Sequence, residues 1–82
     1  MNRYQIEVAR LAEKLGITAE YVDDTDCCEL WKDGVPIAAA FWDGSLEKNS
    51  EVPKEPGIKK TMKKLRRISA DVDKLLLAYC LW

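Results

Sequence analysis

Cys27-Cys28-Glu29-Leu30-Trp31-Lys32-Asp33-Gly34-Val35-Pro36-Ile37-Ala38-Ala39-Ala40-Phe41-Trp42 is the stretch that decides the fold. Two runs that suit strands, 27–32 and 35–42, flank Asp33-Gly34. That dipeptide favours a type I′ hairpin turn, because both central residues of such a turn need positive φ. A two-residue turn sets the register, with Leu30 facing Ile37, Cys28 facing Ala39 and Trp31 facing Pro36. Side chains alternate between faces along a strand, so Trp31 and Trp42 are expected together on the face opposite Leu30 and Ile37.

Upstream, residues 17–23 mix β-branched and aromatic side chains before the acidic cluster Asp23-Asp24-Thr25-Asp26, which reads as a third strand and a turn. Before it, Tyr4, Val8, Leu11, Ala12 and Leu15 recur at three- and four-residue spacing, so residues 2–15 form an amphipathic helix. Gly16 ends that helix and Ile6 faces away from its apolar side. Downstream, Asp43-Gly44-Ser45 closes the strand, and residues 43–57, with Pro53 and Pro56, read as a loop. From Ile58 the series Met62, Leu65, Ile68, Val72, Leu75, Leu76 and Tyr79 keeps one helical stripe to residue 80. Ser69, followed by Asp71 and Asp73, could cap a new helix, but the stripe stays in phase across it and favours one helix.

The expectation is therefore one α+β domain over residues 1–82, ordered α-β-β-β-α, with a three-stranded antiparallel sheet and both helices packed on one face. Its core draws on Tyr4, Val8, Leu11 and Leu15, on Leu30, Ile37 and Phe41, and on Met62, Leu65, Ile68, Val72, Leu75 and Leu76. A chain of 82 residues encloses only one modest core. The longest apolar runs, 35–42 and 75–82, fall far short of the roughly 20 residues that cross a membrane. No membrane association is expected. The last of these runs is apolar nearly all round, which suggests a contact with a second copy.

Catalysis by acid, base or nucleophile most often uses histidine, and the chain has none. Three cysteines, Cys27, Cys28 and Cys80, make no disulfide framework and too few ligands for structural zinc. They read as free thiols of a reducing, cytoplasmic setting. A calcium loop opening at Asp24 fails at Glu29 and Val35, and one opening at Asp43 fails at Lys48 and Lys54. The chain is thus expected to be no enzyme and to carry neither metal nor cofactor.

Charge is divided along the chain. Residues 20–55 hold ten acids against three lysines, while residues 56–74 hold seven bases against two acids, within a net charge of −1. At 100° per residue, Lys59, Lys60, Lys63, Lys64, Arg66, Arg67 and Lys74 fall within about 160° of one another, opposite the apolar stripe. The simplest reading is a solvated face paired to the chain's own acidic loops, Glu51 and Glu55 among them.

Two functions from different classes compete. In the first, a small protein-binding module presents an acidic surface of Asp23, Asp24, Asp26, Glu29, Asp33 and Asp43, with Trp31 and Trp42 as aromatic anchors. The build, small and charge-polarised with no catalytic group, resembles phage-encoded inhibitors of bacterial defence such as anti-CRISPR proteins. That likeness implies docking on a nucleic-acid-processing complex. In the second, Lys59, Lys60, Lys63, Lys64 and Arg67 bind nucleic acid. The element order and Gly57-Ile58-Lys59-Lys60 at the start of the last helix look like a double-stranded RNA-binding domain, whose final helix sets lysines on phosphates. The chain departs from that family in lacking its glycine-rich approach and small-residue helix pattern, and in its acidic sheet.

Overall fold

The computed structural model describes residues 1–52 and 54–82. Its elements are α1 (Arg3–Glu13), β1 (Thr18–Val22), a 3-10 turn (Asp23–Thr25), β2 (Cys27–Lys32), β3 (Val35–Phe41), β4 (Leu46–Lys48) and α2 (Pro56–Ala78). The four strands form one antiparallel sheet in chain order. The expected three-stranded sheet is therefore corrected to four. Part of the expected loop 43–57 is β4, and its Pro53 lies outside the described residues.

Helix α1 starts at a capping box. The Asn2 side chain accepts from the Gln5 amide at 3.0 Å, and the Gln5 side chain accepts from the Asn2 amide at 3.0 Å. Gly16 adopts φ +76°, and the Ile17 and Gly16 amides reach back to the carbonyls of Ala12 and Glu13, which ends the helix as expected.

At the hairpin, Asp33 and Gly34 take φ of 51° and 78°, the two positive values a type I′ turn needs. The register beyond the turn departs from the expected one. Trp31 faces Pro36, but Leu30 faces Ala38 and Cys28 faces Ala40, so Ile37 is an extra residue in a β-bulge. The bulge buries Ile37 and Ala38 side by side and reverses the alternation beyond them. Phe41 consequently pairs with Cys27 on the face away from the core, where it is only half-buried. Trp42 falls past the strand end, in the β3–β4 turn, and does not share a strand face with Trp31.

The core joins Tyr4, Val8 and Ala12 of α1 to Met62, Leu65, Val72 and Leu76 of α2 and to Cys28, Leu30, Ala38 and Ala40 of one sheet face. α2 is unbroken. Its Ser69 hydroxyl is buried and hydrogen-bonded to the Tyr4 hydroxyl at 2.5 Å, so it opens no second helix. Ser69 meets the first turn of α1, and α2 runs on past it. Leu75, expected in the core, lies off the buried stripe through Ser69, Val72 and Leu76 and is 52% exposed, and Tyr79, past the end of that stripe, is 68% exposed. The 23-residue α2 spans about 34 Å, nearly the molecule's 37 Å length. Its two ends therefore lie at opposite poles. No helix is long and apolar enough to cross a membrane.

The chain folds back beyond α2. Cys80 takes φ 53°, the Leu81 amide donates to Leu76 and the Cys80 amide to Leu77, which is a Schellman pair with cysteine in the place usually held by glycine. Trp82 then stacks on Tyr4 with ring centroids 5.4 Å apart, and its indole N–H donates to Asp73 at 2.9 Å.

Candidate functional site

The helices cover one face of the sheet and leave the other without a covering element. Register shows what that open face carries. Glu20 faces Glu29, Glu29 faces Ala39 and Ala39 faces Glu47, so three glutamates and an alanine form one row straight across the four strands. Adjacent strands lie about 4.8 Å apart, which brings Glu20 and Glu29 into direct cross-strand opposition and makes the pair mutually repulsive. Thr18, Trp31 and Pro36 form a neighbouring row on the same face. No lysine or arginine stands among the strand residues of this face. Trp31 is half-buried, and its indole N–H is shielded from solvent with no acceptor among the described residues.

The expected acidic set is only partly brought together. Glu29 lies in the open-face row. Asp23 and Asp24 are exposed in the 3-10 turn at one end of the sheet, and Asp43 is exposed in the β3–β4 turn at that same end. Asp26 belongs to the same turn region but has a structural task, because its carboxylate accepts from the Tyr21 hydroxyl at 2.5 Å and its carbonyl accepts from Gln5 at 2.8 Å. Tyr21 gives up its proton late, near pH 12, chiefly because the Asp26 carboxylate holds it. Asp43 keeps its carboxyl below the usual range, because the Ser45 hydroxyl and amide both donate to it, at 2.6 and 3.0 Å. Asp33, in the hairpin turn, sits at the opposite end of the sheet from these aspartates. Trp42, 58% exposed, stands apart from Trp31 near the aspartate pole.

The cationic set is brought together as expected. Lys59, Lys60, Lys63, Lys64, Arg66, Arg67 and Lys74 are all exposed on α2, along the arc turned away from the core. Their pairing to the chain's own acids is not found. Among the described residues the only ion pair is Arg10 with Glu7, at 2.8 Å within α1. A groove of about 460 Å³ opens beside the first turns of α2, with Ile58 and Met62 as floor and Lys48, Lys54, Lys59, Lys63 and Arg66 around it. Lys48 and Lys54 are additions that sequence reasoning missed, because β4 and the approach to α2 read together as loop. The signal for β4 was present in Asp43-Gly44 followed by Leu46-Glu47-Lys48, a turn dipeptide and a short alternation.

All three thiols are free, Cys27 and Cys28 buried and Cys80 exposed. Burial raises the Cys28 pKa. Among the described residues no three of Cys, Asp and Glu are grouped so as to hold a metal ion. At the segment expected to meet a second copy, Leu75, Leu77, Tyr79 and Leu81 are exposed, and Trp82, stacked on Tyr4, is still 45% exposed.

No protein-family model, curated protein or solved structure matches this chain. Its function has to be read from these residues alone.

Proposed function

We propose that this chain is a non-catalytic protein-binding module that docks the open face of its sheet on a cationic surface of a nucleic-acid-processing assembly, and inhibits that assembly by covering the surface. The observation that carries the reading is the row Glu20–Glu29–Ala39–Glu47 on a face no helix covers, beside Trp31. Like charges this close destabilise the free sheet, and lysines or arginines of a partner would turn that repulsion into attraction. Such a surface accelerates encounter with a cationic partner and loses its advantage as salt rises. Trp31 supplies the apolar anchor. Asp23, Asp24 and Asp43 extend the negative potential at one end of the face, and Trp42 is exposed near them.

The test is affinity capture from nuclease-treated native lysate, comparing the parent chain with Glu29→Lys and with Trp31→Ala. A nucleic-acid-binding protein retained by the parent, displaced by added nucleic acid and lost with either variant supports the reading. Retention that survives both variants and is lost instead with Lys60→Glu overturns it.

A further inference from the structure

The geometry points to a second binding surface on the side opposite the open sheet face. We propose that the cationic arc of α2, together with the groove beside its first turns, binds the phosphate backbone of a nucleic-acid duplex without reading its sequence.

Lys48 of β4 and Lys54 before α2 meet Lys59, Lys63 and Arg66 around one groove, against a single acid, Glu55. Lys60, Lys64 and Arg67 continue the positive surface around the helix. This arrangement is electrostatically unfavourable in the free protein. The opening turn of α2 contains no acidic residue, and the Glu55 side chain, at the N-cap, makes no bond to the helix. The lysines that follow stand at the positive end of the helix dipole, where a cation is disfavoured and an anion favoured. Glu55, in the groove, and Asp71, on the helix, stand nearby but close no ion pair. None of the α2 cations forms an ion pair with a described residue, and the glutamate row lies across the sheet on the far side of the molecule.

The class of anion follows from what else lines the site. Neither the groove nor the arc contains Phe, Tyr or Trp, so there is no platform on which an unpaired base could stack, as single-strand binders use. Lysine and arginine heads on long, flexible stems around Ile58 and Met62 suit contacts to phosphate, which position a nucleic acid without specifying sequence. The cations from Lys59 to Arg67 run about 12 Å along one unbroken, rigid helix before exposed Asp71 interrupts the arc ahead of Lys74, and a duplex offers a matching rigid array of phosphates. The aspartate pole and the glutamate row repel the same ligand, which leaves one orientation for docking.

The test is fluorescence anisotropy of the full chain with labelled duplex DNA and duplex RNA of one sequence, the corresponding single strand, and polyglutamate as an acidic-protein mimic. At least one duplex binds. With about four phosphate contacts, its affinity falls roughly 100-fold between about 50 and 200 mM salt. Lys59→Glu with Lys63→Glu abolishes binding, Lys48→Glu lowers the salt slope by about one, and Glu29→Lys does not weaken it. The two duplex arms tell which phosphate ladder is taken. Because the substituted lysines are exposed, circular dichroism should show every variant folded. Absence of duplex binding at the lowest salt, preference for the single strand, equal retention of polyglutamate, or binding untouched by the paired lysine variant would each overturn the proposal.

Discussion

Gln5 is a polar side chain with no solvent exposure at the junction of α1 and the sheet, and replacing it tests the packing account most directly. Its amide nitrogen donates to the carbonyls of Asp26 at 2.8 Å and Ala40 at 3.1 Å, while its oxygen accepts from the Asn2 amide at 3.0 Å. One side chain thus completes the helix cap and ties α1 to the start of β2 and the end of β3. Gln5→Leu keeps the volume and removes all three bonds. Each lost bond costs about 1 kcal/mol and a stranded buried acceptor costs more, against a gain of about 1 kcal/mol from the apolar replacement, so the net loss is about 3 kcal/mol. For a domain of this size that lowers Tm by roughly 15 °C. Urea denaturation should show a lower midpoint with an unchanged m value. Gln5→Glu supplies a second arm. Its carboxylate would face two carbonyl oxygens in a dry site, so its folded pKa would rise above the unfolded value of about 4.3. The ionisation penalty is absent below that value and grows as pH rises towards the folded pKa, so this variant should lose stability on going from acid to neutral pH. A Gln5→Leu protein within about 0.5 kcal/mol of the parent, the range of an ordinary surface substitution, would refute the reasoning.

Gly44 takes φ +90°, and a Cβ there would stand 2.9 Å from the Trp82 ring. Gly44→Ala should therefore cost about 2 kcal/mol through backbone strain and expulsion of the ring. Denaturation together with near-ultraviolet circular dichroism, which reads the Trp82–Tyr4 stack, would reveal the loss, and an unchanged aromatic signal would count against the packing described. Tyr21 holds its proton to about pH 12 in the folded protein, against 10.0 for the free side chain. Because the folded pKa is the higher one, this contribution is fully present below pH 10 and is lost as pH rises towards 12. Tyr21→Phe should show a shallower alkaline loss of stability in that window, and superimposable alkaline limbs would exclude the Asp26 bond as its source.

The two candidate surfaces were legible to different degrees. The basic arc could be read outright, because helical phase depends only on residue spacing, and every one of its seven cations is exposed. The acidic and aromatic surface was read less well, because its composition depends on strand register. One extra residue at Ile37 moved Phe41 to the open face, and β3 ends there with Trp42 beyond it. An unread β4 hid Glu47, which completes the row with Glu20 and Glu29, and hid Lys48 beside the groove.

What the chain's own spelling determined is local: the Asp33-Gly34 turn, the capped start of α1, its stop at Gly16 and the two-faced α2. Each rests on backbone preferences and periodicities within a few residues, which neighbours in sequence settle. Only the tertiary structure decided the bulge, the burial of Gln5 and the seat of Trp82 on Tyr4. Gln5 and Tyr4 are held by partners distant in sequence, Gln5 by a carbonyl 35 residues away and Tyr4 by a hydroxyl 65 residues away. Such partners must hydrogen-bond once water is excluded, and their meeting is visible only after the chain has closed on itself.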